Sequence, residues 1–216
     1  AHEANLENAS FTEDSTAEAL DPFALTDLPR GTVLEERTYE DIDTTHLTLS
    51  NNAQVLFKKN LQDNTPVMIR VRSPGGLSLL PDYDAARANL ARDVLLASGI
   101  RGLKGSAIRN VFSLHRTSVS VVLSESEHGY FIRTTPEELE FALRILHIMF
   151  TEVNIDDDAF AAMLAKSRTS LTGYIDTPQY KFGAEVEEVL APGRKLNSIN
   201  LRKEMLDKAT PSWAES

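Results

Sequence analysis

The sequence predicts an α+β fold: an antiparallel sheet with helices packed on one face. Three observations predict it. The signals run strand, strand, helix, helix, strand, strand, and then helices alone. Val67, Ile69 and Val71 alternate with Met68, Arg70 and Arg72, the period-two pattern of a half-buried strand with one wet face. The strands come in pairs joined by short turns, which favours an antiparallel layer over a doubly wound parallel sheet.

Taken in order, residues 1–43 read as an acidic linker or arm, and residues 44–216 as the folded domain. The arm carries Glu3, Glu7, Glu13, Asp14, Glu18, Asp21 and Asp27 among small polar residues, and Pro22 and Pro29 break any long helix. One short helix before Pro22 fits. Such a segment buries too little apolar area to offset the entropy of ordering, so residues before Leu28 are expected to be mobile.

Leu47 and Leu49, then Asn51-Asn52, then Val55 and Phe57 spell a hairpin, because Asn accepts left-handed turn conformations. The strand from Val67 ends at Ser73-Pro74-Gly75-Gly76. Pro81-Asp82 opens a helix that runs to Ser98, with Ala86, Leu90, Val94 and Ala97 at helical spacing, and Gly99 stops it. Gly102 and Gly105 punctuate a loop, and Ser106 suits the cap of a short helix to Leu114. Val119, Val121 and Leu123 mark a strand, a turn spans Ser124–Gly129, and Tyr130–Arg133 pairs back. Thr135-Pro136-Glu137-Glu138 has the form of a capping box ahead of a helix to Glu152. Asp156-Asp157-Asp158 begin another to Tyr174, their charges favoured by the helix N-terminus. Phe182, Val186, Val189 and Leu190 mark a further helix before Pro192-Gly193, and Asn200 suits the cap of a last one over Leu201–Ala209.

Composition excludes several functions. The chain has 216 residues and a formal net charge of -10, and its 22 basic residues form no run. Nucleic-acid binding needs clustered Lys and Arg, so no nucleic-acid partner is expected. With no cysteine, disulfides, thiol catalysis and Cys-based zinc sites are ruled out. The longest apolar run, Phe141–Phe150, is interrupted by Arg144 and His147 and is too short for a membrane span. The missing cysteines fit the cytosol and an oxidising periplasm equally.

Several local strings, in this order and spacing, resemble the pitrilysin/insulinase family of zinc peptidases. Leu47-Thr48-Leu49-Ser50-Asn51-Asn52, with Val55 and Phe57-Lys58, resembles the family's opening hairpin, where Gly usually stands in place of Asn52. Val71-Arg72-Ser73-Pro74-Gly75-Gly76-Leu77-Ser78 resembles the second strand and its exit turn, in the form found in C-terminal halves of large bacterial members. Ala97-Ser98-Gly99-Ile100 and Leu103-Lys104-Gly105-Ser106 look like the loop that follows. Phe150-Thr151 with Asp156–Phe160 resembles the junction between two later helices. The likeness covers roughly Leu28 to Ala209.

The resemblance implies a metallohydrolase domain of the pitrilysin or mitochondrial-processing-peptidase type. Active members bind zinc through an inverted His-x-x-Glu-His motif on the first helix, with the Glu as general base, and a distal Glu completes the site. The matching stretch here is Asn89-Leu90-Ala91-Arg92-Asp93, which has no His, and no Glu lies between Glu152 and Glu185. The family is built from paired halves, of which one commonly lacks the metal. This chain is therefore expected to be a non-catalytic half, inactive alone and without catalytic or metal residues. Zinc belongs to a catalytic half of the same polypeptide, and the whole would be a zinc metalloendopeptidase acting on peptides. The resemblance places Arg70, Arg72 and Ser73 near the substrate wall. It implies a domain cut short after Ser216 and a periplasmic or secreted location, with the cytoplasm left open. The alternative is a structural or partner-binding homologue, similar to the core subunits of respiratory complexes that share the fold.

Other motifs fail on their own chemistry. No two of the five histidines stand at i, i+3 or i+4, so no helical zinc pair exists. Asp156–Asp158 lacks the alternating ligands, Gly and final Glu of an EF-hand loop, and helix capping explains it. Gly99, Gly102 and Gly105 are not spaced as a dinucleotide fingerprint, and no Gly-Lys-Ser/Thr follows. Ser73–Ser78 is not a nucleophile elbow.

Overall fold

The structure is a computed structural model describing residues 23–25, 28, 31–60, 62, 65–153, 155–190, 192 and 199–211. The short helix expected before Pro22 lies outside the described residues. The fold class is as predicted: antiparallel strands and six helices among the described residues.

Strands β1 (Val33–Tyr39), β2 (Thr44–Leu49) and β3 (Gln54–Phe57) form one antiparallel meander. The β2–β3 turn is the one the sequence spells. Asn52 is left-handed at φ 62°, and the Asn51 side-chain oxygen accepts from the Ala53 N–H at 3.0 Å. Strand β4 (Val67–Pro74) belongs to a second sheet, with β7 (Ser118–Leu123) and β8 (Glu127–Thr134), in the order β4-β8-β7. Between them, β5 (Gly99–Ile100) and β6 (Leu103–Lys104) make a small two-stranded ladder in the stretch expected to be a loop. Among the described residues the strands thus form three sheets where the sequence suggested one.

The helices are α1 (Asp82–Ser98), α2 (Gly105–Leu114), α3 (Leu139–Thr151), α4 (Asp157–Tyr174), α5 (Pro178–Leu190) and α6 (Ile199–Lys208). Two apolar cores result. In the first, Ile108 of α2 and Phe141, Ile145, Ile148 and Met149 of α3 pack with Val119, Val121 and Tyr130 of the second sheet. In the other, Ala86, Leu90 and Val94 of α1 meet Phe160 of α4 and Met205 and Leu206 of α6. Burial of each large aliphatic side chain here contributes about 1.5–3 kcal/mol.

Helix boundaries follow the sequence closely where a stop or cap is chemically forced. Gly99 sits at φ 115°, and a Cβ there would lie 1.9 Å from the Leu103 carbonyl oxygen, so only glycine fits. The Asp156 side chain accepts from the Ala159 N–H at 2.8 Å and caps α4.

Elsewhere the structure corrects the reading. The stretch read as an arm contains β1, and Phe23 within it is only 2% exposed, packed in the first core. Arg101 fixes that segment by donating from Nη1 to the Ala24 carbonyl at 2.7 Å. His128 and Gly129 lie inside β8, not in a turn; the turn closes earlier, with the Ser124 N–H donating to the Glu127 carbonyl at 2.9 Å. The helix after Thr135 begins at Leu139, and Glu138 closes no capping box because its carboxylate takes His115 Nδ1 at 2.7 Å. Asn200 is inside α6, one residue after its start.

Candidate functional site

Alternation along β4 gives the second sheet two chemically different faces. The β4–β8 register sets Met68 opposite Arg133, Arg70 opposite Phe131, Arg72 opposite Gly129 and Pro74 opposite Glu127. Directly paired residues share a face. Met68, Arg70, Arg72, Glu127, Phe131 and Arg133 therefore stand on one side, and the α2–α3 core covers the other.

On the open side, the Glu127 carboxylate binds both Arg70 and Arg72. Glu127 is 12% exposed, whereas Arg70 and Arg72 are 58% and 65% exposed. The hydrogen bond from Arg70, reinforced by Arg72, holds the Glu127 carboxyl below the usual carboxylate range. Gly129 makes this register possible: at φ 152° it approaches β4 so closely that a Cβ would lie 2.1 Å from the Val71 carbonyl oxygen.

On the covered side, a groove of about 560 Å³ runs between α1 and the sheet. Leu95, Val121, Tyr130 and Phe150 form its apolar wall, and Arg87, Arg92 and Asp84 its polar rim. The Tyr130 hydroxyl donates to the Met149 carbonyl at 3.0 Å, and its ring meets Phe150 edge-on at 5.1 Å. Burial pushes the Tyr130 phenol up. His128 Nδ1 lies 2.9 Å from the Gly75 carbonyl oxygen, which can only accept, so the proton is on Nδ1.

Of the three residues singled out from the sequence, the structure brings Arg70 and Arg72 together on Glu127. Ser73 is on the opposite face and lines the groove. Sequence reasoning missed Glu127, Phe131 and Arg133. They join the arginines only through the β4–β8 register, which no local pattern encodes.

The resemblance would put a zinc ligand set on α1, at Asn89 to Asp93, and the side chains there are already engaged. Asn89 spends its side-chain amide on the Ala85 carbonyl at 3.1 Å, and Leu90 is buried in the second core. Asp93 Oδ1 accepts from Arg92 Nε and Nη2 at 3.0 and 2.8 Å. The carboxylate is thus occupied by a guanidinium whose charge repels a cation, and these residues do not fit zinc. Among the described residues, no group of three His, Cys, Asp or Glu side chains could hold a metal.

No protein-family model matches the chain. Over 140 residues it is 24% identical to the probable zinc protease PqqL of Haemophilus influenzae, a match spanning 64% of this chain and 15% of that protein. The fold matches the periplasmic protease PqqL from Escherichia coli with a TM-score of 0.77 at 19% identity, over 89% of this chain and 21% of that one. It also matches the ferredoxin protease FusC, solved in complex with Arabidopsis ferredoxin, with a TM-score of 0.69 at 17% identity, over 89% of this chain and 22% of that one. A protease from Helicobacter pylori matches with a TM-score of 0.54 at 12% identity, over 85% of this chain and 42% of that one. The matches thus span between 15% and 42% of the length of these relatives. Sequence and fold together bear out the resemblance read from the local strings: the chain is related to the zinc protease PqqL and has the fold of pitrilysin/insulinase-type zinc peptidases.

Proposed function

We propose that this chain is part of the non-catalytic C-terminal half of a zinc metalloendopeptidase, and that it helps to enclose and bind peptide for a zinc-bearing half of the same polypeptide. The observation that carries the reading is α1. The resemblance assigns the family's metal motif to this helix, and there it presents the Arg92–Asp93 pair in place of a ligand set. A wall need not hold metal to help. Positioning a peptide against a reactive centre supplies several kcal/mol toward a barrier, and strand β4, at the edge of its sheet among the described residues, offers backbone groups to an extended peptide. The kinship with a periplasmic protease supports a periplasmic location. Among the described residues, no helix is long and apolar enough to cross a membrane.

A second reading is a structural or partner-binding role without proteolysis. Helix α5 favours it: Phe182, Val189 and Leu190 are 70%, 79% and 79% exposed, which marks a surface for another protein unit. The two are separated by a peptidase assay of this chain alone and mixed with the zinc-bearing half. The first reading expects no cleavage alone and enhanced cleavage on mixing. A mixture no faster than the zinc half by itself sinks it.

A further inference from the structure

We infer that the open face of the β4-β8-β7 sheet selects acidic extended peptides, with carboxylates at alternate positions read by Arg70, Arg72 and Arg133. The inference rests on the peptide-wall reading and names the substrate class for that wall. The chain as a whole is acidic, with 32 Asp and Glu against 22 Lys and Arg. On this one face the balance reverses: among the described residues of β4 and β8, three arginines stand with a single carboxylate, Glu127.

The spacing is suited to an extended chain. Arg70 and Arg72 are two residues apart on one strand, about 7 Å, which is also the repeat of same-side residues in an extended peptide. Arg133, opposite Met68, is the diagonal neighbour of Arg70, at about 7–8 Å between Cα atoms. Glu127 aligns two of the guanidiniums without consuming them. Each arginine has five N–H donors, and the contacts to Glu127 use Nη2 of Arg70 and Nε of Arg72. The remaining donors can fork onto an incoming carboxylate, a geometry lysine cannot reproduce. Arg133 is exposed and has no carboxylate partner among the described residues. Met68 and Phe131, exposed between the charges, offer apolar contact to the peptide's stems and backbone. The charge complement of this face is an acidic segment, and its strand spacing suits an extended one.

The test measures fluorescence anisotropy of this chain with a labelled octapeptide of alternating Glu and Thr, and with the same peptide carrying Gln for Glu. The acidic peptide should bind about tenfold more tightly at low salt, and the preference should shrink as salt rises. Arg133→Gln, which breaks no internal ion pair, should remove about two- to threefold of that preference, and Arg70→Gln with Arg72→Gln about three- to fivefold of it. Unchanged circular dichroism certifies the fold of each variant; Arg133→Gln decides if the double variant unfolds. Equal binding of the two peptides overturns the acidic selectivity and leaves the wall standing. Binding of neither overturns the wall itself. Displacement by a single-stranded oligonucleotide of equal charge, as effective as the acidic peptide, overturns peptide recognition in favour of a general anion surface.

Discussion

Phe23 packs edge-on against Phe141, with ring centroids 5.8 Å apart and planes at 85°. One aromatic contact thus ties a segment of strongly acidic sequence to the core beneath the sheet. Phe23→Ala should cost about 3–5 kcal/mol, the usual range for a buried phenylalanine. Urea denaturation should show a lower midpoint with an unchanged slope. A midpoint within error of the parent would mean that the segment is not part of the cooperative unit.

Gly129→Ala should also destabilise, by less and through a different cause. The new Cβ meets the Val71 carbonyl, and φ 152° is strained for any side chain. The expected loss is on the order of 1–3 kcal/mol, with β4 losing amide protection before α3 in hydrogen exchange. Equal protection across both would contradict this.

Much of the fold was legible because certain positions admit one solution. Pro81 and Gly99 bracket α1 at the residues expected, and Asp156 caps α4. The hairpin at Asn51-Asn52 formed for the stated reason. What was illegible depended on partners distant in sequence. Phe23-Ala24-Leu25 has no periodicity, so nothing local announced the burial of Phe23. Glu138 has the spacing of a capping box, but His115, 23 residues away, competes for its carboxylate and stacks on Phe141 at 3.8 Å. The site divided the same way. Arg70 and Arg72 could be placed on one strand face from alternation alone, whereas Glu127 and Arg133 needed the β8 register. Ser73 went to the opposite face by the same alternation.

The Glu127 carboxyl gives the stability a pH signature. Its pKa is lowered in the folded state by the hydrogen bond from Arg70 and then by Arg72. The stabilisation is therefore present above the unfolded carboxylate value of about 4.3 and is lost as pH falls through the lower folded value. The melting temperature of Glu127→Gln should fall below that of the parent at pH 7, and the gap should close as the solution is acidified. A gap that widens in acid would reverse the assigned sign.

Tyr130 should titrate above the ordinary tyrosine value. Burial raises its pKa, so its contribution to stability is full below the unfolded value of about 10 and is lost as pH rises through the folded one. Difference absorbance of the tyrosinate band in the parent and in Tyr130→Phe should place the missing transition at the alkaline end. A transition missing from the lower part of the curve would contradict the burial.

The most direct measurement of the central claim is equilibrium dialysis of this chain, purified and supplied with zinc, against an unstructured peptide mixture, followed by mass spectrometry of both compartments. The account predicts that peptides accumulate with the protein and are recovered intact, because the face that carries Arg70 and Arg72 binds while α1 offers Arg92 and Asp93 in place of metal ligands. Cleaved peptides whose appearance tracks the added zinc would contradict the non-catalytic assignment, and a mixture distributed equally across the membrane would contradict the wall.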